Sequence, residues 1–216
     1  MAYEQLDSIG LRCGTDKSSA HHDYLRHYET YLALQRSPIR SLLEIGVYDG
    51  GSLRMWREFL PEAKIVGLDI DPRCKAFEGG NATVETCDQS NPEQLTAIGV
   101  KHGPFDVVID DGSHIWSHQV LSFETLFPFV APGGHFIIED LDTSYGHYTE
   151  MYGRDSTISG AQYVSKMANY VLASTAGNLN QEMDLRMRVF VEQIDSITFI
   201  RRSAIIRRKR LPFNAE

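Results

Sequence analysis

FDVVIDDGSH, residues 105–114, is the stretch that decides the fold. The apolar run from Phe105 to Ile109 ends in two carboxylates, a glycine, a hydroxyl and an imidazole. Apolar runs of this kind mark parallel strands buried on both faces, and open α/β sheets bind ligands at the carboxyl ends of such strands. Working outward, His135-Phe136-Ile137-Ile138 ends in the same way, in Glu139 and Asp140. Two such strands side by side bring up to four acidic groups to one sheet edge, and that crowding calls for a cation.

Upstream, Ser41 to Val47 reads as a first buried strand, the Tyr48-Asp49-Gly50-Gly51 turn follows, and Ser52 caps a helix. Glycines there let a ligand approach the backbone, and free N–H groups at the helix start can bind it. The spacing from Glu44 through Gly46 to Gly50 is not the dinucleotide fingerprint G-x-G-x-x-G, so an ordinary βα turn and a ligand loop both stay open. A second strand, Lys64 to Ile70, carries Asp69 where nucleotide-binding α/β folds place a ribose-binding carboxylate. Asp71-Pro72 caps and starts a helix toward Glu78, which Gly79-Gly80 ends. The third strand, Thr83 to Cys87, runs into Asp88-Gln89-Ser90-Asn91-Pro92. That cluster either caps a helix from Pro92 to Ile98 or reads an adenine through Asp88 and Gln89.

Further along, a helix from about His118 to Phe129 stops at Ala131-Pro132-Gly133-Gly134. Residues 146–160 suit an active-site loop, and a helix from about Ala161 to Thr175 follows. Asp195 to Ile200 and Ser203 to Arg207 form an antiparallel hairpin at a sheet edge. At the other end, Gly14-Thr15-Asp16-Lys17 is turn chemistry ahead of a helix from about His21 to Leu34. Tyr24, Tyr28, Tyr31 and Leu32 recur at helical spacing, as a packing face or as a lid over a ligand. The predicted fold is α/β, a doubly wound, Rossmann-like, mostly parallel seven-stranded sheet with helices on both faces and a C-terminal antiparallel hairpin. It is one domain over residues 1–216, with 1–37 as an N-terminal helical lid segment.

Composition narrows the function. An apolar content of 42% over 216 residues suits a globular domain. The opening MAYEQLDSIG is not a signal peptide and no apolar stretch spans a membrane, so a cytoplasmic location and no membrane partner are expected. Cys13, Cys74 and Cys87 have no disulfide or zinc spacing and read as buried free thiols. A net charge of −8 argues against a nucleic-acid partner. The basic run RRSAIIRRKR, residues 201–210, reads as guarding an edge strand. Monomer and homo-oligomer both stay open.

Several stretches together resemble one family. GTDK at 14–17, LLEIGVYDGGSLRMW at 42–56, GLDIDP at 67–72, CDQSNP at 87–92, FDVVIDDGSH at 105–114 and PGGHFIIEDLDTSY at 132–145 resemble class I S-adenosylmethionine-dependent methyltransferases. Within that class they are similar to metal-dependent sugar O-methyltransferases of natural-product pathways, the mycinamicin and rhamnosyl type. The cephalosporin-7α-hydroxylase-associated methyltransferase family is a near relative. The resemblance implies that Glu44, Gly46, Gly50 and Ser52 line the methionine end of S-adenosylmethionine, with Asp111 close by. It implies Asp69 on the ribose, Asp88 and Gln89 on the adenine, and His114 as general base. Asp111, Glu139 and Asp140 would hold a divalent ion. The larger macrolide enzymes carry an auxiliary amino-terminal domain with no counterpart here, and the matched stretch ends at Tyr145, short of anything that names the acceptor.

The chemistry agrees with that reading. A sugar hydroxyl needs its proton removed, or its charge stabilised, as it attacks a methyl group, and a metal beside an imidazole does both. Oxygen ligands alone suit Mg²⁺. The expected function is therefore Mg²⁺-dependent O-methylation of a sugar or glycosylated small molecule, with Asp142 as the competing base and Asp110 as a further candidate at the site. The alternatives are methylation of a catechol-like diol and a catalytically silent nucleotide-binding subunit of a larger assembly.

Overall fold

The computed structural model describes residues 5–33, 38–154, 156–173 and 185–210. Helices α1 (Gln5–Cys13) and α2 (Leu25–Ala33) precede the first strand, β1 (Ser41–Ile45). Next come α3 (Gly51–Phe59), β2 (Lys64–Asp69), β3 (Ala82–Thr86), α4 (Pro92–His102), β4 (Phe105–Asp110), α5 (Trp116–Leu126) and β5 (Val130–Ile138). The chain closes with α6 (Thr149–Gly153), α7 (Gly160–Leu172), α8 (Leu185–Val191), β6 (Ile194–Ile200) and β7 (Ser203–Arg208). Seven strands of the described chain make one sheet in the order β3-β2-β1-β4-β5-β7-β6, parallel from β3 through β5 and antiparallel in β7 and β6. This is the doubly wound sheet with a terminal hairpin that the strand pattern predicts.

Successive strand residues point to opposite faces, and both faces are buried. Leu43, Val66, Val108 and Phe136 pack beneath α4, α5, α7 and α8, where Phe123 stacks on Phe127 and meets Phe136, Tyr163 and Phe190 edge-on. Leu42, Ile65, Val107 and Ile137 pack beneath α1, α2 and α3, with Leu6, Tyr28 and Trp56. No helix of the described residues is long and apolar enough to cross a membrane. The three cysteines are free, Cys74 and Cys87 buried and Cys13 half-buried.

Register is what places the site. Ile45 pairs with Leu68 and with Asp110, and Asp110 pairs with Ile138. The ladder runs one residue past each strand, from Gly46 N–H to Leu68 O, Asp111 N–H to Ile45 O and Glu139 N–H to Asp110 O. Gly46, Asp111 and Glu139 therefore leave the sheet side by side. They do so where the chain order reverses between β1 and β4, the switch point at which such folds hold ligands.

Several local expectations give way to tertiary demands. The helix predicted from His21 begins at Leu25, and its predicted end, Leu34, lies outside the described residues, as does Thr175. Polar-looking residues 5–13 are helical because Leu6, Ile9 and Gly10 share one buried face. Pro72–Phe77 is a 3₁₀ segment capped by Asp71, whose side chain accepts from the Arg73 amide. Ala131-Pro132-Gly133-Gly134 does not stop a helix and lies inside β5. Pro132 is tolerated there because the β4/β5 ladder slips between Phe105 and Val107, so its missing N–H interrupts no pairing. Residues 146–160 include α6 and the Ser159 capping box of α7.

The basic run does not guard an edge. β7 lies inside the sheet between β5 and β6, and Arg208 donates to the carbonyls of Pro128 and Val130 and to Gln193. His135 on β5 gives a pH test. Burial, helped by the charges of Arg207 and Arg210, lowers its pKa from 6.5 to about 4. The folded imidazole stays neutral where the unfolded one takes up a proton, so stability is expected to fall as pH drops from 6.5 toward 4, by roughly 3 kcal/mol at most. His135→Gln should melt with a flatter pH dependence across that window, and parallel Tm profiles for the two proteins would refute the assignment.

Candidate active site

A cleft of about 710 Å³ opens at the switch point, between the loop after β1 and the loops after β2, β3, β4 and β5. Gly46, Ser52, Asp69, Asp88, Gln89, Asp111, His114 and Asp140 line it, with Gly14, Thr15 and Asp16 from the turn between α1 and α2. Tyr48, His114 and Asp140 have φ values of 50°, 57° and 50°, a left-handed conformation that is costly away from glycine and tends to gather at functional sites.

The β1 loop is built for close approach. Gly46 has φ 96°, and a Cβ there would overlap the carbonyl oxygen of Asp111. Asp69 shapes the loop from below: its Oδ2 accepts from the amides of Val47 and Tyr48, each at 3.0 Å, and its Oδ1 accepts from Asp71 N–H at 2.9 Å. A carboxylate has about four acceptor positions, so room for another donor remains. Ser52 does not cap α3. Its hydroxyl donates to Glu44 Oε2 at 2.7 Å, and Asp49 accepts from Gly51 N–H instead. Glu44 stands behind the cleft wall, fully buried, and Gly50 faces the ring of Phe77.

The cluster after β3 divides its work. Asn91 caps α4 by accepting from Gln94 N–H. Asp88 accepts from the amide and hydroxyl of Ser90 at the cleft wall. Gln89 ties loop to strand, donating to Asp110 Oδ1 at 2.7 Å and accepting from Ser113 N–H at 2.9 Å. Asp110 also accepts from Ser122, and burial raises its pKa to about 6. Its oxygens are spent on the interior, which makes it a support for the β4 loop.

A feature absent from the sequence reading lies at the centre. The side chain of Lys17 is fully buried, and its ammonium donates to Asp111 and to Glu139 Oε2 at 2.9 Å, with Glu44 Oε1 at 3.4 Å. Burial would lower the Lys17 pKa, but Asp111, Glu139 and Glu44 reverse this and hold it well above its usual value. Burial and the neighbouring Asp111 charge push Glu139 in the opposite sense to Lys17's pull, and its pKa is raised. The tyrosines at helical spacing act here too: Tyr28 donates to Glu139 Oε1 at 2.9 Å and Tyr24 to Asp140 Oδ1 at 2.7 Å. Both rings are buried, so they pack and at the same time hold the acidic groups.

Asp140 also receives Arg202 at 3.1 Å, and its Oδ2 lies 3.6 Å from His114 Nε2. The same Arg202, in the turn between β6 and β7, lies 3.0 Å from Asp142. Asp142 lines a smaller hollow with Tyr145 and Phe199. The ligand atoms of Asp111, His114 and Asp140 all lie within 4.8 Å of one another. Lys17 was legible only as a turn residue and Arg202 only as part of a charged run, because their partners are 94 and 62 residues away.

With this geometry in view, residues 43–141 match the family model described as a methyltransferase domain. The chain carries a methyltransferase domain. This domain is 42% identical over 151 residues to demethylmacrocin O-methyltransferase of Streptomyces fradiae, covering 67% of this chain and 38% of that protein. It is likewise 42% identical over 147 residues to mycinamicin VI 2''-O-methyltransferase of Micromonospora griseorubida, covering 65% and 37%. Among solved structures it is similar to the MycE methyltransferase of the mycinamycin pathway in complex with Mg and SAH, at 29% identity and a TM-score of 0.81, covering 95% of this chain and 55% of that one. The chain thus spans about 38% of the length of the curated relatives it matches.

Proposed function

We propose that the protein is an S-adenosylmethionine-dependent, Mg²⁺-dependent O-methyltransferase acting on a hydroxyl of a sugar or glycosylated small molecule. The observation that carries this is the meeting of Asp111, His114 and Asp140 on the cleft that the Gly46 loop and Asp69 also line. Support comes from relatives named as O-methyltransferases, some of them of rhamnosyl- or olivosyl-bearing compounds, and from a structural neighbour crystallised with Mg and SAH.

In this reading Gly46 and Ser52, backed by Glu44 and Gly50, take the methionine end of the methyl donor. Asp69 takes the ribose hydroxyls, and Asp88 with Gln89 borders the adenine. Asp111, Glu139 and Asp140 are the ligands of the ion. The donor set fits, since Asp111 and Asp140 turn toward the cleft and hard oxygen donors suit Mg²⁺. Glu139 has both oxygens engaged, so its part depends on Lys17. When bound, the ion stabilises the charge that develops on the acceptor oxygen.

The remaining work belongs to the chain. In this reading His114, whose Nε2 lies 3.6 Å from Asp140 Oδ2 with the edge of Tyr152 beside its ring, removes the proton of the attacking hydroxyl. Gly14, Thr15 and Asp16 of the α1–α2 turn and Tyr48 line the cleft in which the donor would bind. A methyl-transfer screen over glycosides and phenols, with and without Mg²⁺, tests the proposal. Transfer to a glycoside hydroxyl that stops on chelation and returns with Mg²⁺ is expected. Transfer that survives exhaustive chelation would remove the metal, transfer to phenols alone would change the acceptor, and donor binding with no transfer to any acceptor would favour a silent subunit.

A further inference from the structure

We infer that the Lys17 ammonium is the resident counter-ion of the carboxylate cluster, and that a divalent ion entering from the cleft displaces it from Glu139. Lys17 would then set how tightly the site holds metal. The inference rests on the metal-dependent reading above.

Three observations carry it. The ammonium donates to the carboxylates of Asp111 and Glu139, with Glu44 Oε1 3.4 Å away, and its side chain is 0% exposed. Three carboxylates against one ammonium leave two formal negative charges, so the cluster still attracts a cation with Lys17 in place. Access is graded: the side chains of Asp111 and Asp140 are 19% and 11% exposed, whereas that of Glu139 is 1% exposed, with one oxygen held by Lys17 and the other by Tyr28.

An ion arriving through the cleft therefore meets Asp111 and Asp140 first. It gains Glu139 only when the ammonium withdraws, and a lysine on a four-carbon stem can withdraw without moving the backbone. The Lys17 backbone is anchored separately, its carbonyl accepting from the amides of Tyr24 at 2.9 Å and Leu25 at 3.3 Å. The head can thus exchange while the turn between α1 and α2 stays in place. Until it does, the ammonium keeps the acidic groups from repelling one another, as a buried charge cluster requires.

Calorimetric titration of Mg²⁺ into wild type, Lys17→Met and Lys17→Arg, with thermal melts in chelator and in Mg²⁺, tests this. Lys17→Met removes the competing charge at similar volume. It should bind Mg²⁺ at least about tenfold more tightly, because a like charge a few ångströms from the ion is gone. It should also melt lower than wild type in chelator and gain more Tm from added Mg²⁺. Lys17→Arg keeps the charge and should stay close to wild-type affinity.

If Lys17→Met folds only when Mg²⁺ is present, the exchange is supported. Failure to fold even with Mg²⁺ would overturn it. Mg²⁺ binding by Lys17→Met that is unchanged or weaker than wild type overturns the inference and leaves the metal site standing. Absence of Mg²⁺ binding in both proteins removes the metal site itself, and the inference with it.

Discussion

His114→Ala is expected to lower kcat for methyl transfer by about 10²–10⁴-fold while leaving affinity for S-adenosylmethionine close to wild type. The imidazole lies on the cleft, its Nε2 3.6 Å from Asp140 Oδ2 at the proposed ion site, where in the proposed reaction the acceptor hydroxyl would lose its proton. His114 sits at φ 57°, a conformation that asparagine tolerates better than alanine, so His114→Asn serves as the control for backbone strain. Both variants should lose turnover alike if the imidazole is the base. The competitor is Asp142, but its carboxylate is held 3.0 Å from Arg202 Nε and lies on the neighbouring hollow. Turnover within about threefold of wild type in His114→Ala, below the general-base range, with loss in Asp142→Asn, would move the role to the carboxylate.

Gly46→Ala is expected to destabilise the protein by about 3 kcal/mol and to abolish donor binding. Two costs add: a non-glycine residue at φ 96° is strained, and the new Cβ would overlap the Asp111 carbonyl oxygen. That carbonyl belongs to the backbone, so relief requires the β1 and β4 loops to part. Parting them breaks the step in which Asp111 N–H donates to Ile45 O. For a chain of this size the loss corresponds to roughly 6–12 °C in Tm. Differential scanning with and without the donor reads both effects. A Tm within about 2 °C of wild type, a shift worth under 1 kcal/mol, with normal ligand stabilisation would show that the loop yields and that close packing there is not required.

Much of the scaffold was legible from residue pattern. Four apolar runs, each ending in glycine or carboxylate, point to a parallel sheet buried on both faces, since only strands covered by helices on each side can be apolar throughout, and the alternating run at 83–87 fits its edge. The same runs place Gly46, Asp69, Asp111 and Glu139 at strand ends, and register then requires them to share an edge. What misled was local chemistry read without neighbours. Ser52 has the right identity for a helix cap, yet a buried carboxylate, Glu44, is the stronger claim on its hydroxyl. Pro132 and two glycines read as a stop, yet they lie in a stretch of β5 that has slipped out of the ladder.

The sequence by itself determined the sheet, the alternation of its first five strands with helices, and the identity of the acidic groups at its carboxyl edge, because periodicity and strand-end residues are local properties. Only the tertiary structure decided what those groups face. Lys17 reaches Asp111 and Glu139 across 94 and 122 residues, Tyr24 and Tyr28 reach Asp140 and Glu139 from the N-terminal segment, and Arg202 reaches Asp140 from the hairpin turn. Each pairing depends on which side chain the packing of α2 and of the β6–β7 hairpin leaves within hydrogen-bond distance of a buried carboxylate. Spacing along the chain carries no record of that distance, so the charge balance of the site emerges only when the chain is folded.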